Sequence, residues 1–208
     1  MKERKKIETV LTKYVPAGFE SMVANLIFSA PLRFKVAKPR KSKLGDYRPP
    51  FDGKPHRITV NGNLNPYAFL ITTLHEFAHM NAQIKFGNRI APHGKEWKHE
   101  FKHLLTPLLA SEQIPDDLKV ALDRSMRNIS ASTCTDLELS RVLKRYDTKE
   151  ENLVLLEELG NNKPFKLGKQ LFERGELKRK RYLCKEINTG KMYLVNRLAA
   201  VEPIEKQL

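Results

Sequence analysis

The chain has 208 residues, a formal net charge of +14 and two cysteines, Cys134 and Cys184. Two cysteines fifty positions apart exclude a disulfide framework and a C-x-x-C motif, so an intracellular, cytoplasmic compartment fits best. The opening MKERKKIETV is charged where a signal peptide is apolar, and no stretch approaches the ~20 apolar residues of a membrane span. We therefore expect no membrane partner.

The positive charge lies at both ends of the sequence. Residues 1–50 carry 12 Lys and Arg against four Asp and Glu, residues 51–159 carry 14 against 15, and residues 160–208 carry 12 against five. The net charges of the three segments are therefore +8, −1 and +7. Basic segments suit a polyanion such as nucleic acid, and the alternative is that excess lysine simply keeps the protein soluble.

The first third of the chain predicts two helices followed by short strands. Apolar residues recur at helical spacing in residues 5–14 and again after Pro16, up to a stop signal at Pro31. Residues 32–36 and 57–60 predict two strands of a small antiparallel sheet, separated by a Pro-rich loop at 47–57. Helices, a small sheet and a further helix indicate the α+β class.

The strand at 32–36 alternates apolar and basic residues, so that one face is buried and the other is basic. The chain then continues into a basic turn. This segment is a candidate for contact with phosphates, and the alternative is a solvated sheet face. The candidate residues are Arg33, Lys35, Lys38, Arg40 and Lys41.

Residues 65–87 predict the central helix and contain His75-Glu76-Phe77-Ala78-His79, an H-E-x-x-H motif. Asn65-Pro66 is a helix start signal and Gly87 a stop signal. Residues four apart share a helix face, so two imidazoles can bind one zinc ion while Glu76 reaches a water on it. The helix is apolar on several sides, which indicates burial. The alternative is two core histidines hydrogen-bonded to their neighbours.

A catalytic zinc usually has three protein ligands, and the motif supplies two. The candidates for the third are His93, Glu96, His99, Glu100 and His103. Helical periodicity from Pro92 onward places His93 on the same side as the apolar stripe that begins with Trp97. His99 and His103 point toward solvent in the same projection, so His93 is the favoured ligand and Glu100 its main rival.

The pairing of HEFAHM with His93-Gly94-Lys95-Glu96-Trp97 resembles the SprT-like zinc metallopeptidases. That family includes the Spartan proteases, which cleave proteins crosslinked to DNA. The resemblance covers roughly residues 5–125 and implies that His75, His79 and His93 bind one Zn²⁺ and that Glu76 is the catalytic base. It also implies a zincin-like helical core, a protein or peptide substrate, and DNA repair on single-stranded or damaged DNA.

The C-terminal third departs from the family pattern. Many SprT-like proteins carry a zinc ribbon with C-x-x-C pairs, which this chain lacks. We expect helices over 115–126 and 136–146, a metallopeptidase domain over 1–128 and a helical linker over 129–151. From residue 152 to 208, short apolar runs split by turn residues predict a small β module, either a metal-free ribbon or a small barrel.

A basic run within this module is the second candidate surface for nucleic acid. Its residues are Lys178, Arg179, Lys180, Arg181 and Tyr182. We expect them to lie inside one strand, with the tyrosine as a stacking platform. The alternative is an edge strand whose charge prevents aggregation.

The sequence thus predicts a zinc-dependent metalloendopeptidase that acts on DNA-associated proteins. Two alternatives remain open. One is a nucleic-acid-binding protein whose zinc is structural. The other is a hydrolase of a non-protein substrate, because H-E-x-x-H specifies water activation but not the bond attacked.

Overall fold

The structure is a computed structural model, and it describes residues 2–40, 43–127, 136–148 and 152–204. The chain divides into two compact units, Met1–Asp147 and Thr148–Leu208. The first unit combines helices with a three-stranded sheet, and the second is a six-stranded antiparallel sheet. The α+β class predicted from the sequence is therefore confirmed. Within the described residues, no helix is both long enough and apolar enough to cross a membrane.

The first unit begins with two helices, continues through the sheet and ends with four more helices. Its elements are α1 (Lys2–Leu11), α2 (Glu20–Ile27), β1 (Leu32–Ala37), β2 (Gly45–Arg48), β3 (His56–Asn61), α3 (Pro66–Phe86), α4 (Lys95–Leu109), α5 (Asp116–Arg127) and α6 (Leu137–Lys144). A short 3-10 helix, Gly87–Arg89, follows α3.

The sheet has the order β1-β3-β2, and β1 runs parallel to β3. The prediction of a purely antiparallel sheet was therefore wrong. The reason is β2, which forms at the border of the segment predicted as a Pro-rich loop. It pairs antiparallel with β3, so the chain reaches the far edge before it turns back into the middle of the sheet.

The inner face of this sheet packs on α3. Val60 and Ile58 are fully buried, and the ring of Phe34 stacks on that of Phe77 with centroids 6.3 Å apart. Residues alternate in direction along a strand. The outer face therefore carries the residues that alternate with the inward-facing ones, which include Arg33 of β1, Arg48 of β2 and Arg57 of β3. The sheet therefore separates an apolar layer around α3 from a basic surface.

Helix α3 is buried nearly all round, as its pattern predicts. Helix α4 packs along it, with Trp97, Phe101 and Leu105 in the shared core. Helices α5 and α6 pair with each other, and Leu139 of α6 is 1% exposed in the same core. The region predicted as a linker thus contributes a helix to the first unit.

The second unit is built from short strands, as expected. Its elements are β4 (Val154–Leu155), β5 (Pro164–Leu167), β6 (Gln170–Lys178), β7 (Arg181–Glu186), β8 (Met192–Asn196) and β9 (Ala200–Pro203). The sheet order is β4-β9-β5-β6-β7-β8, all antiparallel. A small core around Phe165, Phe172 and Cys184 lies beneath it. Within the described strands β4 and β8 are the outer ones, so no pairing closes a barrel.

Candidate metal centre

Helix α3 begins and ends where the sequence predicts. The side chain of Asn65 accepts a hydrogen bond from the amide of Ala68 at 2.9 Å, and Pro66 occupies the first turn, where its missing N–H costs nothing. Gly87 ends the helix with φ 72°. His75 and His79 therefore lie one turn apart on a rigid, buried element.

His93 reaches the same place from a turn and not from a helix. The amide of Gly94 donates to the carbonyl of Ala91 at 2.9 Å, and His93 has φ 59°, as at the third position of a type II turn after a proline. Helix α4 starts only at Lys95. The helical projection therefore selected a histidine that does lie close to His75 and His79, but the premise that it belongs to a helix was wrong.

The three imidazoles converge on one point. The Nε2 atoms of His75, His79 and His93 are 3.1–3.2 Å from one another. A tetrahedral ion about 2.0–2.1 Å from each nitrogen needs them roughly 3.3 Å apart. Three nitrogens cannot all donate to each other, so a shared cation satisfies the triangle better than mutual hydrogen bonds. In the described part of the chain, this is the group of three side chains placed to hold a metal ion.

An aromatic wall supports the histidines. The ring of Trp97 lies 4.7 Å from that of His75 and 4.6 Å from that of His93, centroid to centroid. Its indole N–H donates to the backbone carbonyl of His75 at 3.3 Å, and the ring of Phe101 stacks on the indole at 4.8 Å. The wall restricts the orientation of the ligands, as supporting residues around metal sites do.

Burial keeps the histidines neutral. It lowers the pKa of His75 to about 3 and that of His79 to about 4, and the neighbouring imidazoles add to both shifts. Burial also lowers the pKa of His93. A neutral imidazole has a free lone pair, which is the form that binds a metal.

Glu76 points from α3 toward β2. A Cβ placed on Gly45 would lie 2.7 Å from Cγ and 2.8 Å from Cδ of Glu76, so any larger residue at this position would force the Glu76 side chain to shift. Burial raises the pKa of Glu76 to about 7, and the charge of Asp46 adds to this rise, while a hydrogen bond from the backbone amide of Tyr47 opposes it. Such a carboxyl group is suited to accept and return a proton near neutral pH.

Tyr47 is a site residue that the sequence did not reveal. Its ring lies parallel to that of His79, with centroids 6.3 Å apart and 1° between the planes. Its hydroxyl is 3.0 Å from Nδ1 of His56, and burial raises the pKa of Tyr47 to about 12, so the phenol keeps its proton at neutral pH. The available signal was weak, since Gly45 to Arg48 is too short to show a strand period.

The other candidates for the third ligand on α4 either face solvent, as predicted, or are paired with another side chain. His99 and His103 are exposed on α4. Glu100 is 2% exposed, but both its oxygens are 2.8 Å from Nζ of Lys85. Its buried carboxylate is thus paired with a half-exposed lysine, and the ion pair links α4 to α3.

The residues of the first basic segment differ in exposure. Arg33, Lys35 and Lys38 are exposed. Arg40 is instead half-buried: its Nε donates to Oδ1 of Asn61 at 2.7 Å and its Nη1 to Oγ1 of Thr59 at 3.0 Å. These bonds tie the loop after β1 to β3. Lys41 lies outside the described residues.

The second basic segment is a hairpin and not the inside of a strand. Arg179 and Lys180 form the turn between β6 and β7, with φ 57° at Arg179. Tyr182 is 5% exposed, and the guanidinium of Arg174 lies 3.9 Å above its ring. The prediction of Tyr182 as a stacking platform was therefore wrong, because its inward strand position places the ring in the core.

The cysteines contribute no metal ligand in the described residues. Cys184 is fully buried, and burial raises its thiol pKa, which disfavours the thiolate that a metal requires. Cys134 lies outside the described residues. The hypothesis of a former zinc ribbon stays a prediction.

No family model, curated protein or solved structure matches the chain.

We expect the purified chain to bind one metal ion per molecule. His93→Ala removes one corner of the triangle, so the metal content should fall well below one equivalent after dialysis. His99→Ala is the matched control and should keep a full equivalent. Elemental analysis measures both, and a His93→Ala protein that retains its metal would contradict the assignment.

Lys85→Met should destabilise the first unit by about 1–2 kcal/mol, because it leaves the buried carboxylate of Glu100 unpaired. This is less than the usual cost of removing one partner of a fully buried ion pair, since the side chain of Lys85 is 53% exposed and its charge is screened by solvent. Chemical denaturation measures this change in stability, with exposed Lys102→Met as the control.

Glu100→Gln should keep the bound metal, and loss of the metal would make Glu100 a ligand.

Proposed function

We propose that the chain is a zinc-dependent metalloendopeptidase of the SprT-like type. The observation that carries this proposal is the triangle of Nε2 atoms of His75, His79 and His93. The buried carboxyl group of Glu76 follows His75 on the same helix. Three imidazoles and one adjacent carboxylate match the ligand number and the base of hydrolytic zinc sites.

Zinc is the proposed ion because three neutral imidazoles in a compact triangle suit its tetrahedral preference. When bound, it acidifies a coordinated water and polarises the carbonyl of the substrate. His79 and His93 are only half-buried, so the triangle is open to a substrate on that side. His75, at 8% exposed, anchors the site to the core.

Glu76 is the proposed general base. Its carboxylate takes a proton from the attacking water and delivers it to the leaving amine. Gly45 leaves room for this side chain, and the backbone amide of Tyr47 orients it. A carboxylate held on two sides loses less freedom in the reaction than a mobile one, which favours catalysis.

A peptide substrate is favoured by the position of β2. This strand is at one edge of its sheet and packs against α3, the helix that carries His75, Glu76 and His79. An edge strand beside a catalytic centre can align an extended peptide through backbone hydrogen bonds. The basic face of the same sheet supports substrates that are proteins lodged on DNA.

The alternative of a structural metal is disfavoured by the ligand number. Structural zinc sites usually have four protein ligands, and among the described residues the cluster has three. The buried carboxyl group of Glu76 is costly to desolvate, and a structural zinc site does not require it. This alternative remains testable by the absence of cleavage in metal-loaded protein.

Glu76→Gln should lower the cleavage rate by at least about a hundredfold, because the base is lost, and should retain one zinc per chain. The assay uses zinc-loaded protein and a histone as a DNA-binding substrate, with and without single-stranded DNA. Exposed Glu112→Gln is the control and should cleave normally. Undiminished cleavage by the Glu76→Gln protein would remove Glu76 from the mechanism.

Gly45→Ala should lower activity by about a hundredfold, because the added methyl displaces the carboxylate of Glu76 and small displacements of a catalytic group are costly. The zinc content should not change, since residue 45 contacts the base and not a ligand. Gly160→Ala, where the new Cβ meets only Lys163 Cγ at 3.4 Å, is the control. Equal loss in both variants would indicate a folding defect.

A further inference from the structure

We propose that the outer face of the three-stranded sheet, together with the tip of the β2–β3 hairpin, binds single-stranded nucleic acid. In this proposal phosphates lie on a row of arginines and one unpaired base stacks on Phe51. The inference rests on the nucleic-acid contact proposed above and extends it from Arg33, which the sequence indicated, to Arg48, Arg57 and Phe51, which it did not.

The arginine row consists of Arg33, Arg57 and Arg48. Strand register places Arg33 of β1 opposite Arg57 of β3, and Arg57 opposite Arg48 of β2. All three alternate with inward-facing residues, so they share the outer face. Adjacent strands are about 4.8 Å apart, so the row spans roughly 10 Å, enough for two or three phosphates of one strand.

Like charges in a cross-strand row repel each other. Asp46 offsets part of this repulsion: its carboxylate is 3.2 Å from Arg48 Nε and 3.9 Å from Arg57 Nη2. It is also 2.6 Å from Lys43 Nζ. One carboxylate cannot neutralise this surface, because Arg33 and Lys35 lie on the same face in addition to the three cations that Asp46 contacts. A polyanion supplies the missing negative charge.

The Phe51 tip, residues 49–55, connects Arg48 at the end of β2 to the start of β3. Phe51 and Lys54 exchange two backbone hydrogen bonds, of 3.3 Å and 3.0 Å. Asp52 and Gly53 between them have φ 50° and 69°, which is a type I′ turn. Prolines at 49, 50 and 55 restrict the backbone further. The tip is therefore a stiff support for one side chain.

That side chain is placed in solvent. Phe51 is 80% exposed, and the next most exposed large hydrophobic residue of the described chain, Leu194, is 54% exposed. A rigid, exposed ring flanked by Arg48 and Lys54 fits the pattern of a stacking platform beside a phosphate track. A base inside a duplex is already stacked on both faces, so the available partner is an unpaired base.

The test measures binding of two fluorescent strands of about 20 nucleotides by anisotropy. One strand is oligothymidylate and the other has the same phosphates without bases. Every protein carries Glu76→Gln, so failure of the peptidase proposal leaves the binding result intact. Phe51→Ala should weaken oligothymidylate binding about tenfold and leave the abasic strand unaffected. The exposed Phe86→Ala is the matched control.

The triple variant Arg33→Gln, Arg48→Gln, Arg57→Gln should weaken binding of both strands and lower the salt slope by about 2. The control removes three charges from α5, with Lys119→Gln, Arg124→Gln and Arg127→Gln. Equal losses in the two triple variants would reduce the effect to net charge and overturn the proposal. So would polyglutamate competing as well as oligothymidylate at equal charge, or a Phe51→Ala protein that binds both strands normally.

Discussion

The convergence of three imidazoles within a buried layer is the constraint on which the first unit depends. Their nitrogens lie 3.1–3.2 Å apart, an arrangement that repels itself until a cation is shared. The fold holds it by packing a helix that is apolar nearly all round between a sheet and a second helix. Trp97 contacts all three rings, so the core of the unit and the wall of the site are the same residues.

The sheet serves both sides of the proposed activity. Its inner face places Tyr47 and Gly45 at the candidate metal centre, and its outer face carries the arginine row. The two faces alternate residue by residue along β2, where Gly45 and Tyr47 point inward and Asp46 and Arg48 outward. A strand of four residues thus places the proposed binding surface within one sheet thickness of the proposed base.

The sequence predicted what depends on local pattern. The boundaries of α3, the pair His75 and His79, and the solvent-facing His99 follow from helical period and capping residues. It failed where the arrangement depends on contacts distant in sequence. Strand β2 is defined by its pairing with β3, and Tyr182 is buried by the fold of its sheet. The role of Gly45 is visible only once Glu76 lies beside it.

The turn that carries His93 has a consequence for how the site is assembled. Two of the nitrogens are carried by one rigid helix, whereas the third depends on a left-handed residue, a conformation that costs a non-glycine side chain about 1–2 kcal/mol. The hydrogen bond from the amide of Gly94 to the carbonyl of Ala91 and the fixed φ of Pro92 hold this conformation. The position of the third imidazole therefore depends on a tight turn and not on the helix that carries the other two.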